Sequence, residues 1–207
     1  MILLTDGLSG PEGQWTALLS LREQEEGRAR TSPSARRNWL LGRLAAKAAA
    51  GTMLGLAPDK VEVLRGDEGP PRLSRLNGPA EKLFVSISHT EGGALAAASF
   101  KPVGVDLETK DRLFSDRAWT WAFNEEEQSW AGARSDNGER LAMWCAKEAA
   151  AKSWGLPLLN HLAEVRISGA DWAARRLRVE RLGGGSVSAL VELLEAENFL
   201  LALAFAQ

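Results

Sequence analysis

Two alanine-rich segments, AAKAAAGTMLGL (45–56) and CAKEAAAKSWGL (145–156), align without a gap at an offset of 100 residues. Ala46, Lys47, Ala49, Ala50, Gly55 and Leu56 match Ala146, Lys147, Ala149, Ala150, Gly155 and Leu156. Alanine matches come cheaply in helices, but the lysine and the Gly-Leu end do not. Self-similarity of this kind restricts the fold strongly, because each copy must build the same supersecondary unit. Each segment is followed by strand-like stretches, and each half closes on an apolar strand, ALAAASF (94–100) and FLLALAFAQ (199–207). The reading is an α+β protein made of two similar α/β halves by internal duplication. The halves are residues 1–102 and 103–207, with the boundary near Lys101–Pro102.

Local signals set the expected elements. Ser32-Pro33 is an N-cap followed by proline at the first helical position, and Gly55 is a stop. They bound a long helix that ends near Leu54. Further helices are expected over Gln14–Arg30, Ser115–Ala131 and Glu139–Trp154. Strands are expected at Val61–Arg65, Leu83–Ser88, Glu164–Ile167, Arg176–Arg181 and Val187–Leu194, with Gly66–Pro79 as a loop. Gly183-Gly184-Gly185 lies between two strands and precedes no helix, so it reads as a hairpin turn rather than a phosphate loop.

Composition removes several function classes. The 207 residues carry a net charge of −2, which gives no drive toward nucleic acid. A single cysteine, Cys145, excludes an intramolecular disulfide framework and fits a reducing compartment. With only two histidines it is too little for a Cys/His zinc site. The opening MILLTDGLSG lacks a signal-peptide pattern, and no run approaches the ~18 apolar residues of a membrane span. The expectation is a cytoplasmic protein that does not engage a membrane.

Four stretches could carry chemistry. In VGVDLE (103–108), Val103, Val105 and Leu107 alternate with Gly104, Asp106 and Glu108. The acids are either solvated on an exposed strand or share a hard divalent cation, with Gly104 allowing a ligand close to the backbone. SISHTEGG (86–93) places Ser88 and His89 before a Gly-Gly turn, either as a capped turn or as donors to a phosphate. Residues 27–58 contain no acid, and Arg36, Arg43 and Lys47 fall on one helical stripe. That stripe is either a solvated face or a surface for phosphate or an acidic partner. Glu148 and Lys152 form an i,i+4 pair, which alone would be an ordinary helix face.

Taken with their spacing, these segments resemble the 4′-phosphopantetheinyl transferase family. GVDLE (104–108) followed by WCAKEAAAK (144–152) is similar to its two-part signature, and SISH, GPPRL (69–73) and WLLGRLAAKAA (39–49) to its upstream motifs. Length and duplicated halves resemble the monomeric surfactin-synthetase-activator type. The resemblance implies one active site, in a cleft between halves related by a pseudo-twofold axis. It implies Mg2+ as cofactor, with coenzyme A and an apo acyl or peptidyl carrier protein as partners. It implies metal binding by Asp106, Glu108 and Glu148, and catalysis by Asp106, Glu148 and Lys152. It implies coenzyme A binding by Arg43, Lys47, Gly69, Pro71, Ser88, His89, Lys147 and Lys152, with Glu127 in support. Pro70 stands where the family has a lysine, which removes that contact. The alternatives are a homologue that binds coenzyme A without transferring, and a Mg2+-dependent nucleotide phosphohydrolase.

Overall fold

The computed structural model describes residues 1–5, 15–66, 69–75, 82–131, 136–183 and 187–207. It divides into two compact units, Met1–Lys101 and Pro102–Gln207.

In the first unit, β1 (Ile2–Thr5), β5 (Gly93–Ser99) and β4 (Phe84–Thr90) form an antiparallel sheet in the order β1-β5-β4. A separate hairpin pairs β2 (Val61–Leu64) with β3 (Arg72–Arg75). The segment 66–79 therefore contains a strand that its Gly/Pro content hides; 67–68 and 76–79 lie outside the described residues. Helix α2 (Pro33–Leu54) packs on β5 and β4. It starts and stops where the sequence places it: Ser32 Oγ accepts the Ala35 N–H, and Gly55 takes the left-handed conformation at φ 65°. Small residues let it lie close to the sheet. Ala45, Ala46 and Ala50 pack with Val61, Val63, Val85 and Ala96, and a Cβ on Gly42 would stand 2.9 Å from Ile87 Cγ2. The expected helix over 14–30 is shorter. Gln14 lies outside the described residues, and Ser20 caps α1 (Leu21–Arg28) through a reciprocal capping box with Glu23.

The second unit holds a five-stranded antiparallel sheet in the order β6-β10-β9-β8-β7. The strands are β6 (Val103–Thr109), β7 (Val165–Asp171), β8 (Arg176–Arg181), β9 (Val187–Ala196) and β10 (Phe199–Ala206). β8 and β9 pair antiparallel, while Gly184 and Gly185 of the turn between them lie outside the described residues. The expected helix 115–131 is two helices, α3 (Asp116–Ala122) and α4 (Glu125–Trp130). Asn124 breaks the run because its side chain caps α4 in a second capping box, with Glu127. Helix α5 (Asn137–Ser153) packs on β6 and β10. Its Leu141 and Met143 share a core with Ile167, Leu177 and Val191, each worth about 1.5–3 kcal/mol when fully buried.

One expectation fails at β6. Gly104 does not open the backbone to a ligand; a Cβ there would collide with the Ala149 carbonyl and the Ser153 nitrogen of α5. The glycine serves the close approach of helix to strand. β6 is accordingly buried on both faces from Val103 through Glu108, and its acids are not displayed on an exposed strand.

Candidate active site

α5 lies over β6, and this packing brings Glu148 and Lys152 of the helix near Asp106 and Glu108 of the strand. Asp106 and Glu108 are 4% and 6% exposed. Lys152 Nζ donates to Asp106 Oδ1 at 2.6 Å and stands 3.9 Å from Glu148 Oε2. Arg112, in the turn after β6, donates from Nη1 to Glu108 Oε1. Three carboxylates thus meet two cations in a largely buried patch. Burial raises the Glu108 carboxyl above its ordinary value, Arg112 opposes the rise, and Asp106 adds to it. Burial also raises Glu148; Lys152 opposes this, and Asp106 and Glu108 reinforce it. For Lys152 burial works against the charge, but Asp106 and Glu148 outweigh it and raise the ammonium above the usual lysine value. Arg112 sits outside the motifs, and sequence reasoning missed it. Its i,i+4 spacing from Glu108 is not a helical signal on a strand-turn segment.

The residue types suit a hard divalent cation, which prefers carboxylate oxygens. Burial is the main cause of both raised carboxyls, and the neighbouring acids add to it. Among the described residues, however, no three His, Cys, Asp or Glu side chains are gathered into a ready-made metal site. Asp106 and Glu108 instead face Lys152 and Arg112.

In the first unit a cavity of about 220 Å³ is lined by Arg30, Arg43, Arg65, Gly69, Pro71 and His89, with Trp39 and Ile87 among its apolar walls. It joins four residues that the sequence singles out separately: Arg43, Gly69, Pro71 and His89. Arg43 is 5% exposed and donates to Glu26 Oε2 at 2.7 Å, while its Nε and Nη1 have no hydrogen-bond partner among the described residues. Its guanidinium lies 5.2 Å from the Trp39 ring centroid. Burial lowers its pKa against the pull of Glu26 and Glu23. Arg30 and Arg65 come from a helix end and a strand end that no motif marks. Ser88 does not line this cavity: Ile87 and His89 do, and alternation along β4 turns Ser88 to the other face, where it is buried.

The two motif lysines, Lys47 and Lys147, are not at either place. Lys47 is fully buried; its Nζ lies 2.6 Å from Glu23 Oε2 and donates to the Val61 carbonyl. Lys147 is 1% exposed, with Nζ 2.6 Å from Glu127 Oε1 and 2.9 Å from the Ala122 carbonyl. Burial lowers its pKa, and Glu127 opposes that. The glutamates complete the same pattern: Glu23 Oε1 accepts the Val63 N–H at 2.9 Å, and Glu127 Oε1 accepts the Ile167 N–H at 2.8 Å. Lys47 and Lys147, expected from the sequence to contact coenzyme A, are thus buried and engaged by Glu23 and Glu127. Each lysine ties its helix to a capping-box glutamate and a strand. The basic stripe also dissolves: Arg36 is exposed, whereas Arg43 and Lys47 turn inward to acids of α1.

Residues 102–204 match the 4′-phosphopantetheinyl transferase superfamily. The match spans 103 of the 207 residues, just under half of the chain. It contains Asp106, Glu108, Arg112, Glu148 and Lys152, and so the whole acid-and-cation patch. The cavity around Arg43 lies outside it. No curated protein matches the chain. Among the described residues no helix is long and apolar enough to cross a membrane.

Proposed function

We propose that this protein transfers the 4′-phosphopantetheine group of coenzyme A to a serine of an apo acyl or peptidyl carrier protein. The observation that carries the reading is the patch of Asp106, Glu108 and Glu148, lying inside the superfamily match. The serine oxygen forms a bond to the pyrophosphate phosphorus that bears pantetheine. The bond from that phosphorus to the bridging oxygen breaks, and 3′,5′-ADP leaves.

Asp106, Glu108 and Glu148 would hold Mg2+, which when bound polarises the phosphoryl group and neutralises charge on the leaving phosphate. Glu148 takes the serine proton, directly or through a water. Lys152, held cationic by Asp106 and Glu148, offsets charge on phosphate oxygens. Arg43 and His89, with Arg30 and Arg65 beside them, bind the 3′-phosphate and ribose end, and Gly69 and Pro71 border the adenine. Ser88 remains a candidate only through its backbone, given its buried side chain.

We also infer that the chain arose by duplication of one unit. Both units end their long helix in a left-handed glycine, Gly55 and Gly155, with Leu56 and Leu156 donating back to Gly51 and Ala151 at 2.9 Å. Both carry the buried lysine–glutamate–strand arrangement. The monomeric surfactin-synthetase-activator type fits such a chain.

The test combines the protein, coenzyme A, Mg2+ and an apo carrier protein, with the carrier weighed by mass spectrometry. A gain of one phosphopantetheine group is expected, lost in Asp106→Asn. No gain on fatty-acid, polyketide and peptide-synthetase carriers, in a protein that binds coenzyme A, refutes the reading.

A further inference from the structure

We propose that Arg112 is the resident counter-cation of the acid patch, and that a divalent metal enters by displacing its guanidinium from Glu108. This rests on the metal reading above. The two cations of the patch are held very differently. Lys152 sits on α5 with its side chain 27% exposed, contacts Asp106 at 2.6 Å and is flanked by Glu148. Among the described residues Arg112 has a single carboxylate partner in its ion pairs, and its side chain is 47% exposed against 8% for Glu108. The half-exposed cation is the one that can leave into water at small cost.

Its backbone is fixed while its side chain can swing. Asn137, the first residue of α5, donates from Nδ2 to the Arg112 carbonyl at 2.9 Å and accepts the Phe114 N–H at 2.6 Å. The Arg112 N–H donates to the Thr109 carbonyl at 3.1 Å. The turn is thus pinned to the same helix that carries Glu148, and a displaced guanidinium would move about a held backbone.

Glu108 dictates the form of the exchange. Its carboxylate is buried, and a buried carboxylate stripped of its partner is strongly unfavourable. Arg112 therefore leaves only as another cation arrives. A divalent ion satisfies Glu108 and adds the charge needed by Asp106 and Glu148, which the single charge of Arg112 leaves short. The released guanidinium has five donors in a planar fork suited to phosphate oxygens. Metal accompanied by a pyrophosphate thus finds a lower barrier to entry than metal alone, so metal and substrate are taken up together.

The experiment measures Mn2+ binding to the full chain without coenzyme A, at low salt, from the EPR signal of free Mn2+. Arg112→Gln is expected to bind Mn2+ about three- to tenfold tighter than the wild type, because a competing cation is gone. Arg112→Lys, which keeps the charge, should stay within about twofold of wild type. Equal or weaker binding by Arg112→Gln, with wild-type binding intact, overturns this inference and leaves the metal reading standing. No Mn2+ binding by either protein, with or without coenzyme A, overturns both. Should Arg112→Gln fail to fold, side-chain NMR of 15N-arginine-labelled wild type decides: the Arg112 Nε signal must shift on Mg2+ addition, and an unmoved signal overturns the inference.

Discussion

Replacing Lys147 by methionine tests the assignment of the motif lysines to the core. The Lys147 and Glu127 side chains are 1% and 3% exposed and their charged atoms are 2.6 Å apart. Methionine keeps most of the volume but leaves the Glu127 carboxylate buried without its cation. Removing one partner of such a pair costs about 3–5 kcal/mol. The Ala122 carbonyl also loses its donor, and the contact of the ammonium over the Phe123 ring at 4.6 Å disappears. Glu127 keeps two backbone donors, Ile167 at 2.8 Å and Asn124 at 3.1 Å, which places the cost toward the lower end. In a unit of this size each kcal/mol lowers the melting temperature by about 4–8 °C, so a loss of more than about 10 °C is expected. The Ile167 amide is the local probe: its hydrogen exchange should accelerate in parallel. Glu127→Gln in the same chain should recover part of the loss by removing the stranded charge. A melting temperature within about 3 °C of wild type, together with lost coenzyme A affinity, would show that Lys147 faces the ligand and refute the assignment.

Two further outcomes follow from the packing of β6 and α5. Gly104→Ala should fail to accumulate folded, or lose more than the roughly 1–3 kcal/mol of ordinary overpacking, because its Cβ meets helix backbone rather than a movable side chain; a wild-type thermal melt contradicts it. Cys145 is fully buried, and burial followed by the nearby Asp106 charge raises its thiol well above the ordinary value. A thiol reagent should leave it unmodified in the native protein and label it once denatured, and rapid native labelling would contradict the placement.

Strand and helix identities were legible where local chemistry is decisive. Ser32-Pro33 and Gly55 bounded α2 to the residue, since cap and stop act through their own backbone. Asn124 and Ser20 were invisible as helix breaks because each lies within a helix-permissive run, and only the reciprocal bond to Glu127 or Glu23 makes it a cap. β3 was hidden by the Gly/Pro content around it. At the site, the family resemblance, and not the residues read singly, implied that Asp106, Glu108, Glu148 and Lys152 act together. It could not distinguish Lys147 from Lys152, five residues apart on one helix. The difference is rotational: Lys147 turns to Glu127 and Lys152 to Asp106. Arg43 and His89 met across α2 and β4 because Gly42 lets the strand in, a tertiary fact with no local signature.

Among the described residues β6 joins its sheet only through β10, with Asp106 opposite Ala202 and Glu108 opposite Leu200. Nearly the whole unit separates those two strands in the chain. During synthesis the acid-bearing strand must therefore wait, its hydrogen-bonding edge and two carboxylates unpaired, until β10 has emerged from the ribosome. The chemistry of the patch is assembled last, and a nascent chain stalled before Phe199 would carry every motif residue and no strand to hold them.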